Sequence, residues 1–312
     1  MKIVVIEPLG VDKSQLEELA AGLVPDAELV CYDSRSEDAE ELIRRGADAD
    51  IIVLANQPIS DEVVSGWKQA KLIAVAFTGV DHIPIETCRK QKITVCNCAG
   101  YSTAAVSDLV FGMLISLYRN IEACGKAVRE EKTRDGLIGF ELEGKNFGVI
   151  GTGAIGTRVL TIAQAFGCRT YAYSRTEKEI EGVTYTDLET LLSICDIVSV
   201  HVPLTNETRG MLNAENMKLM KPSAVLINTA RGPVVDAESL AECLNNRQIA
   251  GACVDVFDTE PPLSKDLPIL HAENLIAAPH IGFATKEALV KRAKMVFENI
   301  QAFMNGTPKN MV

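Results

Sequence analysis

Gly151, Gly153 and Gly156 stand at the spacing that lets a backbone wrap a pyrophosphate. They follow the apolar run Phe147-Gly148-Val149-Ile150. They open a segment, Thr157 to Phe166, whose apolar residues Val159, Leu160, Ile162, Ala163 and Phe166 recur at helical spacing. Gly167 closes that segment, and Arg169-Thr170-Tyr171-Ala172-Tyr173 reads as the next strand. Gly151 permits the tight turn, Gly153 lets the backbone approach a phosphate, and Gly156 lets helix and strand pack closely. The exposed N–H groups at the helix start then hold the phosphate charge. A glycine-rich turn with no ligand has the same letters, but here strand, helix and second strand are all in place, so dinucleotide binding is expected.

The end of the second strand discriminates between cofactors. NAD sites usually carry an acidic residue ~20 residues beyond the glycines, where it accepts the ribose hydroxyls. This chain has Ser174-Arg175-Thr176. A guanidinium flanked by two hydroxyls suits a phosphate better than a bare ribose, which favours NADP(H) and leaves NAD(H) open. Arg175 as a solvated surface charge is the alternative, and Glu177 and Glu179 beside it weaken the anion reading.

Three more segments leave apolar strands with side chains able to do chemistry: Arg231 in Ile227-Asn228-Thr229-Ala230-Arg231-Gly232, Glu260 in Asp255-Val256-Phe257-Asp258-Thr259-Glu260-Pro261-Pro262, and His280 in Ala278-Pro279-His280-Ile281-Gly282. Ligands bind at the carboxyl ends of strands in an open parallel sheet, so these three side chains can converge on one crevice. Taken singly, Arg231 also suits a structural ion pair, and Glu260 before two prolines also suits a strand end.

The elements that must position these groups alternate along the chain. Strands are expected at Lys2–Glu7, Glu28–Tyr32, Ile51–Leu54, Leu72–Ala76 and Ile93–Cys96, with helices at Lys13–Ala21, Glu37–Arg45 and Asp61–Gln69 and a helical turn region at Ile85–Gln91. One long helix is expected from Ser102 to about Arg129, then a charged arm from Glu130 to Glu143. Beyond the glycine turn, strands are expected near Val183-Thr184, at Ile197–His201, Ala224–Asn228, Ala250–Val256 and Leu275–Ala278. Helices are expected at Asp187–Ser193, Asn213–Leu219, Asp236–Asn245 and Lys286–Met304. Such alternation predicts an α/β chain of parallel sheets covered on both faces. The expected organisation is two Rossmann-like doubly wound domains, residues 100–285 for the dinucleotide and residues 1–99 plus 286–312 as a flavodoxin-like substrate domain. An interdomain active-site cleft would lie between them, with hinges near Gly100 and near Gly282 to Thr285.

Composition narrows the partners. Lys plus Arg is 31 against 42 for Asp plus Glu, a net charge of −11 with no basic block, which argues against nucleic acid or an anionic membrane. No apolar run reaches the ~18 residues of a membrane span, and Glu7-Pro8 comes too early for a signal peptide. Nine cysteines scattered through apolar elements suit reduced thiols in a cytoplasmic protein, and no metal site is expected.

The set resembles the D-2-hydroxyacid dehydrogenase family over nearly the whole chain. Five motifs match in order: the glycine turn, His201-Val202-Pro203-Leu204-Thr205 with Glu207-Thr208-Arg209-Gly210, Asn228 to Gly232, Asp255 to Pro262, and Pro279 to Gly282. The resemblance implies that Arg231 grips a substrate carboxylate and α-oxygen, with the backbone of Thr78 and Gly79 holding the carboxylate from the other wall. His280 is then the general acid for reduction of a 2-oxo acid, and Glu260 orients its ring. Gly151, Gly153, Ala154, Ile155, Gly156, Val202, Pro203 and Thr208 would hold the adenosine and diphosphate side. Thr229, Ala230 and Asp255 would reach the nicotinamide end, Asp255 bonding its carboxamide or ring-side neighbours, and His280 and Gly282 would also contact the cofactor. His201 is expected to be structural, His82 to contact a helix start, and His271 to pack beneath the last loop. Asp108 departs from the Glu of many relatives.

Gly100-Tyr101-Ser102-Thr103-Ala104-Ala105-Val106 is similar to the segment in glycerate dehydrogenases and hydroxypyruvate reductases. Hydroxypyruvate or glyoxylate reduction is thus the first expectation. D-lactate-type and bulkier acids stay open, and phosphoglycerate is disfavoured. The helix from Ser102 and the charged arm match the family's dimer-forming region, so a homodimer is expected. Two rivals remain: a non-catalytic NAD(P)H-sensing dimeric regulator of the same fold, and a dehydrogenase acting on another anion such as phosphite or formate.

Overall fold

In the computed structural model, which describes residues 1–312, the chain forms two compact units. One comprises Met1–Ser102 with Ala284–Val312, the other Thr103–Phe283.

The first unit runs β1 (Lys2–Val5), α1 (Lys13–Leu23), β2 (Glu28–Cys31), α2 (Ala39–Gly46), β3 (Ile51–Leu54), α3 (Asp61–Gly66), β4 (Leu72–Val75), α4 (Ile85–Lys90) and β5 (Thr94–Cys96). These five strands pair with one another in parallel, in the order β2-β1-β3-β4-β5. Every residue of β3 and β4 is buried, as uninterrupted apolar runs require when both sheet faces are covered. Trp67 is fully buried and spends its indole N–H on the Leu42 carbonyl at 2.9 Å, so its ring adds apolar area without an unmet donor.

The second unit begins with α5 (Thr103–Tyr118) and α6 (Ile121–Arg129). The single helix expected from Ser102 to Arg129 is therefore two, bent by 55°. The break has a long-range cause. Asn120 is left-handed (φ 51°), and the Tyr118 carbonyl accepts the N–H of Phe140 at 2.9 Å. Gly139 lies so close that a Cβ there would sit 2.1 Å from that carbonyl oxygen. Returning chain thus takes the acceptor that a continuing helix needs. No single helix is long and apolar enough to cross a membrane.

β6 (Asn146–Ile150), α7 (Ala154–Ala165), β7 (Arg169–Tyr173), β8 (Val183–Tyr185), α8 (Leu188–Ile194), β9 (Ile197–Val200), α9 (Ala214–Met217), β10 (Val225–Asn228), α10 (Ala237–Asn245), β11 (Gly251–Val254) and β12 (Leu275–Ala277) complete this unit. The helix expected over Asn213–Leu219 is one turn, capped by the Asn213 carboxamide. The sheet is parallel throughout, in the order β12-β11-β10-β9-β6-β7-β8. Alternate strand residues feed two cores: Val198, Leu226 and Ala252 face one, while Ile197, Ile227 and Cys253 face the other with α5 and α7. α11 (Lys286–Met304) returns to the first unit and buries Ala293, Val296, Phe297 and Ile300. All nine cysteines are free thiols, most of them buried.

Candidate functional site

The strand order explains why sequence-distant groups share one edge. β6, β9, β10, β11 and β12 are successive neighbours, with Ile150 beside Val200, Val200 beside Asn228, Asn228 beside Val254, and Val254 beside Ala277. The segments leaving their carboxyl ends are the glycine turn, the 201–208 loop, the Arg231 loop, the Glu260 loop and the His280 turn. Order reverses between β6 and β9, so the glycine turn sits at the topological switch point, where such sheets bind ligands.

Each glycine of the turn has a visible reason. Gly151 is left-handed (φ +98°), and a Cβ there would lie 2.6 Å from the His201 carbonyl oxygen. At Gly156 a Cβ would come 2.0 Å from the Gly151 oxygen, so only glycine lets α7 start against the turn. A Cβ on Gly153 would meet nothing within 4 Å, which leaves its backbone open to a ligand. Gly153 caps α7 with no side-chain hydrogen bond, and the first N–H groups, from Ala154 and Ile155 on, have no partner within the helix. The Thr152 hydroxyl in this turn and the Thr229 hydroxyl beyond β10 are buried without hydrogen-bond partners. Unmet buried groups, an open glycine backbone and a helix N-terminus fit a dinucleotide.

Ser174 is half-buried and Arg175 and Thr176 are exposed just past β7, whose Tyr173 carbonyl accepts the Gly151 N–H at 2.7 Å. The Glu207 carboxyl is held below its usual range, first by the Thr205 side chain and also by the Arg175 charge. Val202 is half-buried and Pro203 exposed. The Thr208 hydroxyl donates to the Pro203 carbonyl at 2.7 Å and accepts the Thr205 N–H at 2.8 Å, closing the 203–208 loop on itself. His201 pairs with the Ser199 hydroxyl at 2.8 Å, and burial pushes its imidazole down to about 3, keeping it neutral.

At the other end, Glu260 and His280 meet. Nδ1 of His280 lies 2.9 and 2.8 Å from the two Glu260 oxygens and donates to them, which places a ring proton on Nδ1. The His280 side chain is 12% exposed and that of Glu260 48%, so the acid reaches water while the imidazole is largely sheltered. Arg231 leaves β10 through a fixed loop: Asn228 donates to the Arg231 carbonyl at 3.0 Å and accepts the Ala230 N–H at 3.1 Å. The guanidinium donates to the Ala230 carbonyl at 2.8 Å. Gly232 then abuts the Glu260 loop so tightly that a Cβ would sit 2.0 Å from the Phe257 carbonyl carbon.

Asp255 does something that sequence reasoning missed. Its backbone carbonyl accepts the His280 N–H at 2.8 Å, and its carboxylate oxygens accept the N–H groups of Ile281 (2.8 Å) and Gly282 (2.7 Å). A Cβ on Gly282 would approach that carboxylate to 2.9 Å. These bonds hold His280 in the left-handed region (φ 57°), which costs about 1–2 kcal/mol for a residue with a Cβ. The residues are far apart in sequence, and no spacing rule signals the bond.

Burial raises the Asp255 carboxyl above the usual range, against the pull of the two N–H groups and of His280. A raised value means that its contribution to stability is complete at acid pH and drains away as pH climbs through the folded value. Asp255→Asn should flatten that part of the stability profile in melts across the acid range. It should also cost about 100-fold in turnover, because the carboxamide puts an NH2 donor where one of the two carboxylate oxygens accepts, and His280 loosens. Unaltered turnover would remove Asp255 from this role.

The remaining expectations divide. Thr78 and Gly79 follow β4 in the first unit, with the Thr78 carbonyl accepting from Asn97 at 2.8 Å. His82 donates to the Ala55 carbonyl at 2.9 Å, joining two loops rather than meeting a helix start. His271 is exposed, with Nε2 donating to the Lys265 carbonyl at 2.6 Å, so it does not pack beneath the last loop. Asp108 lies on the outer face of α5, 3.9 Å from Arg158.

The chain also matches known proteins. Residues 111–282 match the family model described as D-isomer specific 2-hydroxyacid dehydrogenase, NAD binding domain. The chain is 39% identical over 275 residues to the glyoxylate reductase of Thermococcus litoralis, covering 84% of this chain and 82% of that one. It is 34% identical to the hydroxypyruvate reductase of Blautia hydrogenotrophica, covering 100% and 99%. Among solved structures, an acyclic imino acid reductase in complex with NADPH and D-Arg superposes with a TM-score of 0.92 at 28% identity, covering all of both chains.

Proposed function

The chain belongs to the D-isomer specific 2-hydroxyacid dehydrogenase family, and on that premise we propose that it reduces a small 2-oxo acid, hydroxypyruvate or glyoxylate first, to the D-2-hydroxy acid. The observation that carries this reading is the Glu260–His280 pair beside the Arg231 loop. When bound, a reduced nicotinamide supplies the hydride for the carbonyl carbon. His280 gives the carbonyl oxygen its proton from Nε2, while Glu260 holds Nδ1 and so orients the ring. Arg231 offers the substrate carboxylate a planar fork of donors, and the backbone of Thr78 and Gly79 is assigned to the same carboxylate. Thr152, Gly153, Ala154 and Ile155 take the diphosphate, and Thr229, Ala230 and Asp255 face the nicotinamide. In this reading Thr103–Phe283 holds the cofactor and the first unit holds the substrate.

The preferred cofactor is NADPH. Arg175, exposed between two hydroxyl side chains at the end of β7, supports it. Arg175→Asp should swing the NADPH-to-NADH ratio of kcat/KM about 100-fold towards NADH, the loss of one charge-assisted phosphate contact plus a new repulsion. An unchanged ratio contradicts the assignment.

We also assign the chain to a cytoplasmic homodimer. Free thiols throughout suit a reducing compartment. Ile121, Val128, Ile138 and Phe140 leave apolar surface exposed on α6 and the arm, which a second copy would cover. Light scattering should then give twice the 33.8 kDa chain mass.

The deciding experiment is a panel of glyoxylate, hydroxypyruvate, pyruvate and bulkier 2-oxo acids, each with NADPH and with NADH, followed by absorbance. Turnover on the two small acids is expected. Cofactor binding without turnover on any acid would favour the sensing regulator instead.

A further inference from the structure

Glu260 alone does not fix the plane of the His280 ring. A carboxylate that reaches one nitrogen with both oxygens still allows the imidazole to swing about that contact. The second constraint comes from three residues further along. The Phe283 ring stands 5.5 Å from the imidazole, centroid to centroid, at an interplanar angle of 89°. The two rings thus meet nearly at right angles, an arrangement that aromatic pairs favour. The Asp255 bonds to Ile281 and Gly282 shape the turn that carries both rings, so the spacing between them is set by the backbone.

We propose that Phe283 is a positioning residue for the reaction: its ring holds the His280 imidazole in the plane from which Nε2 delivers its proton. The proposal rests on His280 being the acid, as inferred above. The half-buried Phe283 side chain needs no contact with substrate for this role. The proton still passes from Nε2 to the carbonyl oxygen, and only the alignment of that transfer depends on Phe283.

The test compares Phe283→Leu and Phe283→Tyr with the wild-type full chain. Leucine keeps apolar bulk and loses the ring, whereas tyrosine keeps the ring. For Phe283→Leu, kcat with glyoxylate should fall about ten-fold, the upper range of an aromatic edge contact, with KM for glyoxylate and for NADPH nearly unchanged. The solvent deuterium isotope effect on kcat should rise as proton delivery becomes slower. Phe283→Tyr should restore both values. A second readout needs no turnover. In NMR spectra of histidine-labelled protein, with the His280 signal assigned by its loss in His280→Asn, that signal should broaden or shift in Phe283→Leu and return in Phe283→Tyr. A wild-type chain that turns over no 2-oxo acid defeats the functional reading, and the NMR comparison still decides the ring's role. Leucine and wild type alike in kcat, isotope effect and His280 signal would overturn the proposal, as would tyrosine failing to rescue.

Discussion

His280→Asn should lower kcat for 2-oxo acid reduction by at least the ~10²–10⁴-fold that a positioned general acid contributes. Binding of the reduced cofactor, followed by nicotinamide fluorescence, should survive. The expectation follows from the surroundings of the imidazole. Both Glu260 oxygens lie within 2.9 Å of Nδ1, and three bonds to Asp255 hold the turn that presents the ring. Asparagine tolerates the left-handed backbone at residue 280, so the turn should persist and the loss should report chemistry rather than unfolding. Residual activity near the wild-type level would mean that the proton comes from another group.

Arg231→Ala should lower kcat/KM for the acid on the order of 10³-fold, as expected for two charge-assisted hydrogen bonds of ~2 kcal/mol each. NADPH affinity should change little. The loop itself is held by Asn228 on both sides of the residue and by the close approach of Gly232 to Phe257, so truncating the side chain leaves its frame intact. Arg231→Lys keeps the charge but not the fork, and should recover only part of the loss. Equal losses in substrate and cofactor binding would show that Arg231 supports the fold of the nucleotide unit instead of gripping substrate.

What was legible in the sequence was what local pattern encodes. The apolar run into Gly151, the helix beginning at Ala154 and the strand Arg169–Tyr173 were all visible from periodicity and glycine spacing. Arg231, Glu260 and His280 could be placed at strand exits for the same reason, and adjacency of β10, β11 and β12 puts those exits together. What was not legible depends on chain returning from far away. The break at Asn120 arises because Phe140 takes the Tyr118 carbonyl, and nothing between Ser102 and Arg129 announces it. The Asp255 staple joins residues 26 and 27 positions apart, and in sequence its carboxylate reads as a cofactor contact, not as an acceptor for the turn after His280. The perpendicular contact of Phe283 with His280 likewise follows from the turn, not from a motif. Such contacts depend on a backbone geometry that hydropathy does not specify.

With NADPH as the hydride donor, the Glu260–His280 pair and Arg231 should carry the reduction of a small 2-oxo acid. It is tested most directly by mixing the wild-type chain with NADPH and hydroxypyruvate and following both the nicotinamide absorbance and the chirality of the product. The predicted result is stoichiometric loss of NADPH with formation of D-glycerate alone. Tight NADPH binding with no loss of absorbance, or formation of the L-acid, would contradict it.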